Sequence, residues 1–338
     1  MAIQFMDNFQ SYGTSLSYML DGLPYAQVSS SALVADPDGV SSGRVLVYAV
    51  MRVALPNVTS KVGAAFRCWM SQLPAGPTNR FSVALFTDPG NSVIRANFIV
   101  EPNGAMTIQD AAGTIVATTT NPVVAPQSWF HYECMVDTST GDYELRIEGI
   151  TILTGTSALL VASTIGNIRF FGSGVGGPTP YLKDLIIWDG TGTVNNNFMG
   201  TVSVYTLALN SDVSSDWTPS TGTSDYQLLD ETTPNDADYI SAGIAVPYSS
   251  VMGMSDLASD VVAVRGLQTM VRASKSDGGD ATLVVGVKSA TNTDTGANHA
   301  VTTAKKYWFD ISELDPDTGA LWDPLAVNAA NLVIDRTV

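Results

Sequence analysis

SWFHYECMVDTSTGDYELRIEG, residues Ser128 to Gly149, decides the fold. Read with a period of two, Phe130, Tyr132, Cys134 and Val136 share one face, while Trp129, His131 and Glu133 share the other. After the Asp/Thr/Ser/Gly cluster, Tyr143, Leu145 and Ile147 oppose Glu144, Arg146 and Glu148. Such alternation marks half-buried strands. Gly141 supplies the positive φ that a short connection needs. The stretch reads as a β-hairpin with one apolar face.

Similar runs, bounded by Gly, Pro, Asn and Asp, fill the rest of the chain. The first half carries them at Arg44 to Val53, Gly63 to Leu73, Arg80 to Asp88, Val93 to Pro102, Ala105 to Thr119, Gly166 to Gly174 and Tyr181 to Gly190. Helical periodicity is scarce. Many short strands with frequent turns predict an all-β protein built as layered sandwiches. TGTVNNNFMG (Thr191 to Gly200) then interrupts the series with polar turn residues. A second series follows at Thr201 to Asn210, Gly243 to Met252, Val261 to Ser276, Ala281 to Ala290, Ala304 to Ser312 and Asn331 to Val338. Two β-sandwich domains are expected, residues 1–194 and 195–338. Pairing of Thr201 to Asn210 with the first sheet would move that boundary by about ten or fifteen residues.

The 338 residues are 45% hydrophobic and only 14% charged, a balance that suits a β-protein covered by hydroxyls and amides. Thirty-two acidic against 16 basic side chains give a formal charge of −16. Phosphate backbones repel such a chain, so no nucleic-acid partner is expected. No apolar run is long enough to be a membrane-spanning helix. The opening MAIQFMDNFQSYG lacks the basic start and apolar core of a secretory signal, so folding in a cytoplasm is expected. Cys68 and Cys134, each in an apolar run, read as buried thiols, with no disulfide framework and no zinc spacing.

The first half resembles a concanavalin A-like, laminin-G-type jelly roll. MDNFQSYG (Met6 to Gly13) is similar to that family's first strand, SWFHYECMVDTSTGDYELRIEG to its Trp-led hairpin, and YLKDLIIWDGTG (Tyr181 to Gly192) to the closing strand that returns beside the first. Phrases at Tyr181 to Ile240 and Glu313 to Ile334 are similar to structural proteins of tailed bacteriophages. That resemblance implies a virion component, tail-associated or capsid-decorating. Its implied partners are other virion proteins, further copies of itself and a host-surface glycan. It also implies folding in the host cytoplasm before assembly.

No catalytic constellation stands out, and a non-enzymatic chain is expected. Glu144 and Glu148 lie four apart on one strand face, roughly 13 Å, which exceeds both glycosidase geometries. His131 and Cys134 fall on opposite faces, against a nucleophile relay. His299 lies in a polar loop. Asp315 and Asp317 in DPDTG, like ADPDG at Ala35 to Gly39, have the spacing of a calcium loop without its remaining ligands. The same formula makes a turn. No cofactor is expected, with calcium at Asp315 and Asp317 the alternative. Of the six tryptophans, Trp69 and Trp129 fall opposite the apolar faces of their strands. Together with outward-facing His131 they are the candidate contacts for a glycan or a neighbouring chain.

Overall fold

The computed structural model describes residues 2–29, 32–38, 44–47, 50–76, 81–171 and 178–338. The chain divides into two compact units. The first runs to Val204, and the second starts at Tyr205 and also takes residues 11–13 and 21–23. The division falls at Val204/Tyr205, ten residues beyond the expected 194/195 boundary.

The first unit is a two-layered antiparallel sandwich. One sheet runs Ile150–Thr156, Asp142–Ile147, Trp129–Asp137, Lys61–Met70, Pro180–Asp189, Arg44–Val47, Ala32–Ala35, with Ile3–Asp7 also paired to Pro180–Asp189. The other runs Ile115–Thr118, Met106–Gln109, Ile94–Val100, Phe81–Thr87, Ile165–Phe171, Val50–Thr59, Tyr25–Ser29. The closing strand lies beside the first, Ile3 opposite Trp188 and Asp7 opposite Leu185. Arg44 to Val53, expected as one strand, is shared out: Arg44–Val47 joins one sheet and Val50–Thr59 the other. Tyr48 and Ala49 lie outside the described residues, as do Gly39 of ADPDG, Arg80, and residues 172–174 of another expected run.

The hairpin forms as the alternation requires. Cys134 pairs with Leu145 and Val136 with Tyr143. Gly141 has φ +82°, and its N–H closes on the Asp137 carbonyl at 2.8 Å. Phe66, Cys68, Tyr132 and Cys134 are fully buried. Phe66 meets Phe170 of the opposite sheet edge-on at 5.1 Å and stacks on Tyr132 at 5.5 Å. Each such side chain taken out of water contributes on the order of 1.5–3 kcal/mol. Neither cysteine is in a disulfide. Register sets Cys68 opposite Phe130 and Cys134 opposite Ala64, so the thiols do not face each other.

The second unit holds a six-stranded sheet of Leu209–Ser215, Tyr248–Met254, Asn331–Arg336, Thr282–Ser289 and Asn292–Asp294, with His299–Ala300 paired to Thr282–Ser289. Val271 and Ala273 of one short strand and Trp308 of its partner pack against Met252, Val285 and Ile334 of this sheet. Of the expected strand Thr201 to Asn210, only Leu209 and Asn210 are extended in a ladder. Six-residue Pro324–Ala329 is the one α-helix among the described residues, with Asp323 capping the Leu325 N–H at 2.8 Å.

Gly63 stands opposite Trp188, and a Cβ there would sit 2.1 Å from Trp188 Cζ2. Gly63→Ala is expected to lower stability by about 1–3 kcal/mol, read as a shift in the urea midpoint. An unchanged midpoint would mean that the indole does not lie over residue 63.

Candidate functional site

On the face of the first sheet turned away from the sandwich core, three aromatic residues fall in one register row. Trp129 pairs with Trp69, and Trp69 with Tyr181. All three are half-buried. Alternation places them there, since Cys68 and Leu182, their chain neighbours, point into the core with no exposure. Trp69 and Tyr181 meet edge-on at 5.0 Å. Lys183, two residues along from Tyr181, sets its Nζ 4.1 Å from the Trp129 ring centroid. Asp36, just after the edge strand Ala32–Ala35, ties the group together. Its Oδ1 accepts from Trp129 Nε1 at 3.1 Å and its Oδ2 pairs with Lys183 Nζ at 2.7 Å. The result is an apolar row with an ammonium and an indole N–H fixed at its margin, the chemistry of contact with the faces and hydroxyls of a sugar.

Trp69 and Trp129 are thus brought side by side. His131 is not exposed with them. It shares their face, as the alternation requires, but its exposure is 0% because residues 198–204 cross over it. The backbone of that segment is held by titratable side chains of the sheet. Met199 and Gly200 donate to Glu133 Oε1 at 2.8 and 3.2 Å, Val202 to His131 Nε2 at 3.4 Å, and Val204 to Asp184 Oδ1 at 3.1 Å. Asp184, at φ +56° in a bulge, also pairs with Arg67 at 3.4 Å. Phe198 meets Trp188 at 6.0 Å and lies 3.9 Å beneath the Arg146 guanidinium. Burial, its largest cause, raises both the Glu133 and the Asp184 carboxyls above their ordinary range.

The remaining candidates stay apart. Glu144 pairs with Arg146 at 2.7 Å, and Glu148 accepts the His131 N–H at 2.6 Å from the turn after its strand. His299 Nε2 lies 2.5 Å from Asp310 Oδ2 and its ring 5.2 Å from that of Trp308. Asp315 accepts from the Asp317 N–H at 2.9 Å and from Thr318 at 3.2 Å, a turn. Asp317 accepts from Asn292 at 3.1 Å. Among the described residues no group of three or more His, Cys, Asp or Glu gathers as a metal cage. Sequence reading missed Tyr181 and Lys183, for which shared parity was the available signal, and took Asp36 only as part of the ADPDG calcium-loop or turn formula.

No family model matches the chain, and no curated protein matches it. Among solved structures, the chain is similar to a sialidase (13% identity, TM-score 0.36, covering 55% of this chain and 18% of that one). It is also similar to the carbohydrate-binding module CBM66 from Bacillus subtilis (6%, 0.34, 50% and 97%). A third is the lectin UEA-II complexed with galactose (8%, 0.38, 55% and 98%). The match spans under a fifth of the sialidase's own length. Likeness this distant assigns no activity.

Burial, and secondarily Arg67, holds the His131 imidazole down from 6.5 to about 4. Between those values the unfolded chain binds a proton that the folded chain refuses, so this group's contribution erodes as pH falls from 6.5 towards 4 and is constant above 6.5. Glu133, Glu148, Asp184 and Arg67 face the same space, so the comparison must be with His131→Asn. Between pH 7.5 and 4.5 the wild type is expected to lose about 2 kcal/mol more unfolding free energy than the variant. Parallel curves would place His131 in solvent.

Proposed function

We propose that the chain is a non-catalytic saccharide-binding module that serves in adhesion. The observation that carries this reading is the in-register row Trp129–Trp69–Tyr181 with Lys183 and Asp36 at its margin. Aromatic faces bind pyranose rings through apolar contact, while a few fixed polar groups select orientation. The absence of turnover is part of the proposal. It is supported by Glu144 and Glu148 each being engaged within the fold, by Arg146 and by the His131 N–H respectively.

The setting we propose is a tailed-phage particle, on the strength of the sequence phrases already described. A structural role in which copies assemble has one observation of its own in its favour. Leu209–Ser215 lies at the edge of the six-stranded sheet with residues 210–215 exposed. An edge of this kind offers unpaired backbone groups to a neighbouring chain.

Two measurements test these readings. Trp69→Ala and Trp129→Ala are each expected to weaken binding to a neutral oligosaccharide found on a glycan array by about tenfold or more, with melting temperatures close to wild type. Retained affinity in both variants, or no hit on the array, removes the saccharide reading. Sedimentation equilibrium is expected to show self-association that Val213→Pro abolishes, since proline takes a donor out of the edge. A monomer at all concentrations removes the assembly reading.

A further inference from the structure

The outer face of the second sheet carries a register row of a different chemistry. Gln27 pairs with Arg52, Arg52 with Arg169, Arg169 with Leu85, Leu85 with Asn97, and Asn97 with Gln109. Six strands contribute one residue each, so at the usual strand spacing the row is about 24 Å long. Five of the six end in amides or guanidiniums. Arg52 and Arg169 stand directly opposite each other on adjacent antiparallel strands, an arrangement that destabilises a sheet when both are charged. Burial, and then Arg52, lowers the Arg169 pKa.

Three side chains of this row, Arg52, Asn97 and Gln109, hold a buried polar atom without a hydrogen-bond partner. Arg52 donates from Nη2 to the neutral Ala26 carbonyl at 3.3 Å, while its Nε is buried without a partner. Asn97 Oδ1 and Gln109 Nε2 are likewise buried and unmatched, and Gln109 is only 7% exposed. Arg95, two residues before Asn97, donates from Nη2 to Ser163 Oγ at 2.6 Å and leaves its own Nε unmatched. Leaving such groups desolvated and unbonded costs about 1–3 kcal/mol each, and a ligand that satisfied them would recover part of this. A cationic row persists in a chain of net charge −16.

We propose that this row is a binding site for an acidic oligosaccharide, with Arg52 and Arg169 holding a carboxylate or sulfate and the amides of Asn97 and Gln109 holding neighbouring hydroxyls. Guanidinium pairs suit planar oxyanions through paired N–H donors. Amides, donors and acceptors at once, suit hydroxyls. The row is extended and lies flat along a sheet, which fits a chain and not a compact ion.

Calorimetry on the full chain tests this with four probes: an oligogalacturonate, a heparin-type sulfated oligosaccharide, a neutral dextran oligosaccharide of equal length, and inorganic sulfate. One of the two acidic oligosaccharides is expected to bind at least about tenfold tighter than the neutral one, and less tightly at 0.5 M than at 0.15 M salt. Which of the two binds identifies carboxylate or sulfate as the anion. Arg52→Gln should weaken that binding by about tenfold or more, Arg52→Lys by less, and Trp129→Ala not at all. Should Arg52→Gln melt early, Asn97→Ala serves in its place, with a smaller loss expected. The proposal is overturned if neither acidic oligosaccharide binds, if the neutral one binds as well, or if Arg52→Gln and Asn97→Ala leave affinity unchanged. Inorganic sulfate matching the oligosaccharide in affinity would reduce the row to a simple anion site and overturn it too.

Discussion

The central strand Lys61–Met70 is hydrogen-bonded along both edges, to Trp129–Asp137 on one side and Pro180–Asp189 on the other. Two registers are locked to one strand, so every residue of three strands has its face fixed. A slip by one residue would move Phe66 and Cys68 out of the core and push Arg67 and Trp69 into it. The apolar requirement of the interior therefore also positions the exterior. Trp129, Trp69 and Tyr181 line up outside because Phe130, Cys68 and Leu182 alternate with them on the inner side.

That outer face is divided in two by chemistry. At one end the aromatic row stays half-open. Beyond it, residues 198–204 seal a polar layer in which Glu133, His131 and Asp184 each accept backbone N–H groups of the covering segment. A segment laid across a sheet has no ladder to satisfy its amides, and side-chain acceptors take that role. Phe198 adds an apolar anchor between Trp188 and Arg146. Gly63 makes room for the Trp188 indole beneath. Removing any one of these acceptors would leave a buried amide unmatched, so the cover and the sheet are one cooperative layer.

The sandwich, the hairpin and the outward direction of Trp69 and Trp129 were legible in the sequence, because a period of two is a local signal that the core enforces; that the two indoles stand side by side was not. What failed did so where the deciding partner lies far along the chain. TGTVNNNFMG reads as a linker or a crossing loop by composition, with nothing to choose between them. Its role as a cover depends on acceptors at Glu133, some 66 residues away from Met199. His131 was placed on the correct face but expected in solvent for the same reason. Arg44 to Val53 looks continuous because both sheets demand the same alternation, and nothing local says that the chain changes layer. Asp36 reaches Trp129 across a sequence separation of 93.

The row of Arg52 and Arg169 poses an electrostatic question, since the chain as a whole repels anions. Screening resolves it. At physiological ionic strength the Debye length is about 8 Å, shorter than the about 24 Å length of the row. Carboxylates beyond that range contribute little to the potential an approaching anion meets, and the two guanidiniums dominate at contact. At much lower salt the distant negative charge regains its reach and slows approach. An acidic ligand would thus be held by near charges while far ones limit its capture, which favours recognition of a chain that can bring many weak contacts to bear over recognition of a single ion.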